Sequence, residues 1–172
     1  KQVIRLKGGD PLIFGRGSEE ALVCYQARIP FEIVPGISSV NAVPAYAGIP
    51  LTHRHVSSSF TVITGHEAQD KLETSIAYES LVSQNGTIVI LMGVHRINHI
   101  IERLLACGLA PDTLAACIEQ GTTGEQRVIS AEISSLAECM DLYNVHSPAL
   151  VIIGEVVKLR EEGMHWYDPT VQ

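Results

Sequence analysis

Short apolar runs recur along this chain, and run after run closes on a glycine: Gly8, Gly36, Gly65, Gly93, Gly121 and Gly154. Helical patterns lie between them. The runs predicted as strands are Gln2–Lys7, Phe31–Val34, Phe60–Thr64, Thr87–Leu91, Leu114–Ile118, Gln126–Ile133 and Ala149–Ile153. Continuous apolar strands separated by helices need both sheet faces covered, so the chain reads as α/β. The segment Gln126–Ile133 arrives without a helix before it, which predicts a mixed second sheet. Ligands of open α/β sheets sit outside the carboxyl ends of the strands. Six glycines at such ends favour a ligand crevice, although glycine also ends ordinary strands and turns.

The helical patterns are specific. Ser18 is placed as the N-cap of a helix through about Arg28, with Ala21, Leu22 and Tyr25 on one face. Ser38 is placed as the cap of a short helix through Tyr46, with Pro44 straining or ending it. Ile97, Ile100, Ile101, Leu104 and Leu105 recur at helical spacing within His95–Cys107, and Gly108 marks its stop. Ser134–Tyr143 is the last helix, and one more is expected around Tyr78–Ser83 in the polar stretch Glu67–Asn85. Gly48–His55 has turn chemistry and no period, so it reads as a linker.

The stretch from Arg5 to Gly17, RLKGGDPLIFGRG, joins a strand pattern to a helix pattern through a glycine-rich turn. At Gly8-Gly9 no Cβ hinders a ligand approaching the backbone, and the Asp10 carboxylate can accept hydrogen bonds from an amine or hydroxyl. An ordinary βα turn has the same composition. Dinucleotide, phosphate-loop, zinc-protease and nucleophile-elbow motifs are absent from the sequence. His95 and His99 have metal-ligand spacing without a third ligand pattern, so they read as a solvated helix face and no metal is expected. Net charge is −7, which argues against nucleic acid, and no apolar run reaches membrane-spanning length. The four cysteines lack CxxC spacing and have apolar neighbours, which predicts buried free thiols in a reducing, cytoplasmic compartment.

Four segments taken together, Arg5–Glu20, Val34–Ser39 (VPGISS), Ala45–Arg54 (AYAGIPLTHR) and Val62–His66 (VITGH), closely resemble the S-adenosylmethionine-dependent tetrapyrrole methylases. Leu91–Val94, Glu119–Thr122, Gln126–Val128 and Val151–Gly154 extend the resemblance over essentially the whole chain. Leu51-Thr52-His53-Arg54 is closer to the uroporphyrinogen-III methylating branch than to the cobalt-precorrin methylases.

The resemblance implies two αβα domains with the methyl donor folded into the cleft between them, and a homodimer. Residues 1–52 would be the remainder of the first domain, 53–57 a hinge and 58–172 the second domain. It implies S-adenosylmethionine as cofactor, with S-adenosylhomocysteine as product. Gly8, Gly9, Asp10, Ile13, Ser38, Ser39, Met92 and Gly121 match the family's cofactor contacts. The acceptor implied is uroporphyrinogen III, methylated at two ring carbons on the way to sirohaem or cobalamin. Its eight carboxylates call for local cations, and Arg16, His53 and Arg54 are the candidates. Arg16 also stands where it can pair with Glu19 or Glu20 at the helix start.

The family opens with a strand and a glycine-rich loop followed by its proposed acid and base. These lie outside this chain, so the catalytic residues are expected before Lys1 and the first sheet is expected to be incomplete. The alternatives are another precorrin methylase, a catalytically incomplete cofactor-binding fragment and, more distantly, a nicotinamide-dependent enzyme.

Overall fold

A computed structural model describes residues 1–66 and 75–168. The start of the polar stretch at Glu67 lies outside the described residues. The chain divides into two compact units, Lys1–Ser39 and Val40–Gln172.

The first unit holds one helix, α1 (Gly17–Gln26), and the start of a second, α2 (Ser39–Ala47). Helix α1 opens one residue before the expected Ser18 cap. Arg16 stands at its N-cap in left-handed backbone (φ 58°), and the Gly17 N–H donates to the Pro11 carbonyl at 2.9 Å. The segments 2–7 and 31–34 are not strands, contrary to expectation. A strand exists only as a partner in a hydrogen-bonded ladder, and neither segment has one among the described residues. Val3, Ile4 and Leu6 are 82–87% exposed, so no apolar face is covered there. Leu22 and Tyr25 of the expected helix face are also exposed. Arg5 and Lys7 instead reach Glu20 of α1, at 3.1 and 3.0 Å.

The second unit is built on five strands: β1 (Phe60–Thr64), β2 (Thr87–Leu91), β3 (Leu114–Glu119), β4 (Arg127–Glu132) and β5 (Ala149–Ile153). Their order is β1-β2-β5-β3-β4. β1 and β2 are parallel, while the β2–β5, β5–β3 and β3–β4 pairs are antiparallel, so the sheet is mixed as expected. Three further helices are α3 (Tyr78–Ser83), α4 (Ile97–Ala106) and α5 (Ile133–Leu142).

Strict alternation explains why the central strands read as unbroken apolar runs. Ile88 and Ile90 of β2, Cys117 of β3 and Val151 and Ile153 of β5 face the core under α3, α4 and α5. Val89 and Leu91, Ile118, and Leu150 and Ile152 face the opposite core, which Val40, Val43 and Ala47 of α2 and Val156 and Val157 close. Leu104 of α4 is fully buried, and its truncation to alanine would cost about 2–5 kcal/mol. Edge strand β4 is fully buried only at Ile129 and carries Arg127 and Glu132, exposed charges that discourage further strand pairing. Pro44 sits inside α2 without ending it, and the helix runs on to Ala47.

Residues 53–57 form a tight bridged turn in which His53 N–H donates to Ser57 O at 2.8 Å. Cys117 is buried, whereas Cys24, Cys107 and Cys139 are only half-buried, and all four are free thiols.

Candidate functional site

In the first unit, the turn after Lys7 is held by Asp10. Its Oδ1 accepts the Leu12 N–H at 2.8 Å and its Oδ2 accepts the Gly36 N–H at 3.1 Å. These two amides keep the Asp10 carboxyl below its ordinary range. Gly9 has φ 71°, a left-handed conformation that favours glycine. A Cβ on Gly36 would collide with the Gly9 carbonyl, so the two backbones lie directly against each other. Beside them Gly8 faces open space. Ser38 is buried and Ser39 exposed at the start of α2, while Ile13 is 45% exposed. The turn therefore brings Gly8, Gly9 and Asp10 together with the 36–38 segment, and leaves backbone at Gly8 accessible.

In the second unit, strand direction sorts the glycines. β1, β2 and β3 run the same way, so Gly65, Met92-Gly93 and Gln120-Gly121 gather at one edge of the sheet. β5 runs against them, so Gly154 belongs to the opposite edge; the row of six strand-end glycines does not form one crevice. The Gly154 edge also bears a cleft lined by Ser57, Asn85, Thr87, Thr113 and Glu155. Both β2 and β3 leave the sheet through a left-handed residue, Met92 (φ 54°) and Gln120 (φ 48°), each followed by glycine. Met92 is half exposed. Gly121 is packed against α2, where a Cβ would lie 2.5 Å from Cγ1 of Val43.

Two buried polar side chains at this edge were not singled out as site residues by the sequence reading. Glu119 is 5% exposed; its Oε1 accepts the His146 N–H at 2.7 Å and its Oε2 accepts Nε of Arg127 at 2.7 Å. Burial pushes the Glu119 carboxyl up, but the His146 amide and the Arg127 guanidinium more than offset it, and it titrates below its ordinary value. Gln126 is 7% exposed and joins Thr122 to Tyr46. A carboxylate ending the apolar run Leu114–Ile118 is the signal in the sequence that points to Glu119.

The candidate cations are differently placed. Arg16 forks onto Glu19, with Nη2–Oε2 at 2.7 Å, and so takes up the helix-start pairing open to it. His53 is half-buried, and Arg54 is exposed with no ion pair among the described residues. The rings of His53 and His55 stand edge to face, 6.1 Å apart. His95 and His99 are exposed, and no group of three or more metal-ligating side chains occurs among the described residues. No helix among those residues is long and apolar enough to cross a membrane.

A family model described as Tetrapyrrole (Corrin/Porphyrin) Methylases matches residues 1–137. The chain belongs to this family of tetrapyrrole methylases. It is 50% identical over 94% of its length to an S-adenosyl-L-methionine-dependent uroporphyrinogen III methyltransferase of Methanosarcina barkeri, of which it covers 63%. It is 46% identical over 96% of its length to a siroheme synthase of Acinetobacter baylyi, of which it covers 36%. A solved uroporphyrin-III C-methyl transferase of Thermus thermophilus, complexed with S-adenyl homocysteine, matches with TM-score 0.78 and 36% identity; the match covers 91% of this chain and 64% of that one. The chain thus spans less than two thirds of the length of each of these proteins. It shares their α/β fold.

Proposed function

We propose that the chain is part of an enzyme that transfers methyl groups from S-adenosylmethionine to ring carbons of uroporphyrinogen III, yielding precorrin-2 for sirohaem or cobalamin. The single observation that carries this is the 50% identity over 94% of the chain to a relative bearing that activity in its name. The siroheme synthase relative supports the sirohaem branch. We further propose a cytoplasmic homodimer acting on a small tetrapyrrole, with no nucleic-acid or membrane partner.

The residues present fit a nucleoside methyl donor. Open backbone at Gly8 and the left-handed turn at Gly9 offer polar groups without side-chain obstruction, and both Asp10 oxygens retain a lone pair after accepting one amide each. In this reading Gly8, Gly9 and Asp10 hold the donor's amine and carboxylate end, with Ser38 and Ser39 beside them. Ile13 and Met92, both near half exposure, supply apolar contact to its adenine or thioether arm, and Gly121 contributes backbone. The donor would supply a methyl group on a cationic sulfonium; as the methyl–sulfur bond breaks and a bond to a pyrrole carbon forms, the positive charge would spread from sulfur into the ring and leave as a proton. A weakly polar surround therefore hinders the reaction less than water does, and alignment of the carbon with the methyl–sulfur bond is what these residues provide. Arg16, His53 and Arg54 hold the acceptor's carboxylates, Arg16 exchanging its Glu19 partner for a substrate one.

Calorimetry of the full-length protein with S-adenosylhomocysteine tests the donor reading, and methylation of enzymatically made uroporphyrinogen III tests the acceptor. Tight donor binding without turnover of this acceptor assigns the chain to a sister tetrapyrrole methylase; no donor binding ends the reading altogether.

A further inference from the structure

The loop between β3 and β4 keeps two non-glycine residues in left-handed backbone, Gln120 at φ 48° and Thr122 at φ 70°. The Thr122 conformation is costly for a β-branched residue and persists only where its surroundings impose it. One buried side chain does so. Gln126 Oε1 accepts the Thr122 N–H at 2.8 Å, and its Nε2 donates to the Tyr46 carbonyl at 3.2 Å. Tyr46 lies in the last turn of α2, where carbonyls lack partners within the helix. A single planar amide thus joins two backbone groups that nothing else in the local secondary structure pairs. Val43 of the same helix packs against Gly121, so the loop is held at Gly121 and at Thr122 by one surface. Tyr167 adds an outer contact, its hydroxyl donating to Thr123 O at 2.9 Å.

We propose that Gln126 is a positioning residue for methyl-donor binding: its carboxamide locks Gly121–Thr122 onto α2 in the conformation that presents the loop's outward backbone to the donor. This rests on the reading of Gly121 as a donor contact. Alanine at 126 loses both bonds. Glutamate keeps the acceptor for Thr122 but turns an oxygen toward the Tyr46 carbonyl, so it fails at the helix side.

The test uses the full-length protein, calorimetry with S-adenosylhomocysteine and steady-state kinetics. Gln126→Ala and Gln126→Glu are expected to raise Kd and the KM for S-adenosylmethionine about tenfold, the scale of a lost buried hydrogen bond, with kcat at saturating donor within about twofold. Gln84→Ala removes a side-chain bond from Thr61 outside this loop and is expected to leave both constants unchanged. Unchanged Kd in a folded Gln126 variant overturns the proposal, as does an equal rise in Gln84→Ala. Amide exchange on the unsubstituted protein is independent of variant folding: the Thr122 amide is expected to be protected, and more so with S-adenosylhomocysteine. A freely exchanging Thr122 amide overturns the proposal. A wild-type protein that does not bind S-adenosylhomocysteine removes the donor reading beneath it, a different failure from a variant that binds normally.

Discussion

The Asp10 carboxylate spans the first unit to Gly36, 26 residues further along, accepting its N–H on one oxygen while the other accepts Leu12. The contact ties the Gly8–Gly9 turn to the segment that leads into α2. Asp10→Ala removes both bonds, and Gly36→Ala forces the Gly9 carbonyl away. Each is expected to weaken S-adenosylhomocysteine binding about tenfold, measured by calorimetry. The bond is also pH-dependent. Because the folded carboxyl titrates below its ordinary 3.8, its contribution is fully present above that value and is lost as pH falls through the lower folded value. Exchange protection of the Leu12 and Gly36 amides should therefore hold at pH 5 and fade only in stronger acid.

Gly8 separates folding from binding. A Cβ there meets nothing within 4 Å, so Gly8→Ala should leave the thermal midpoint unchanged. If backbone at Gly8 touches the donor, the same methyl group intrudes on it, and Kd for S-adenosylhomocysteine should rise about tenfold. Equal Kd values with equal midpoints would place the donor away from this turn.

Arg16 and Glu19 make a prediction with opposite signs. Arg16→Ala removes a cation, so the KM for uroporphyrinogen III should rise; Glu19→Gln frees the guanidinium, so it should fall. Both residues are exposed, and neither change should move thermal stability measurably. A KM indifferent to both assigns Arg16 to the helix start alone.

Cys117 should be the slow thiol. Burial above all, and then the Glu119 charge, push it up to about 12 from 9.0. Native protein at pH 8 should titrate its half-buried Cys24, Cys107 and Cys139 with an aromatic disulfide reagent, and Cys117 only after denaturation. The folded state disfavours the thiolate, so stability present below pH 9 should decline as the pH rises toward 12.

The second unit was readable in the sequence because its pattern is local. β2, β3 and β5 are covered on both faces, so their apolar runs are continuous, and α4 shows its buried stripe at spacings of three and four. What stayed hidden is non-local. Whether 2–7 and 31–34 become strands depends on a ladder partner, which their own composition does not contain. The direction of β5, which sends Gly154 to the far edge, is a property of the whole sheet. Gln126 reads as the first residue of a strand, and its role as a tie stays hidden until the chain is folded, because the carbonyl it reaches is 80 positions away. For Asp10 the local signal was enough to mark an acceptor at the turn, but the Gly36 amide it accepts comes from a distant segment.

The reversed strand β5 also acts as a spacer. Neighbouring strands lie about 4.8 Å apart, so inserting β5 sets the exits at Met92 and Gln120 roughly 10 Å from each other rather than side by side. Between them β5 enters from Pro148, whose carbonyl accepts the Gln120 N–H at 3.0 Å and pins that gap on one flank. The distance between the two left-handed corners is thus dictated by ladder geometry, and changes to loop length leave the aperture the same width.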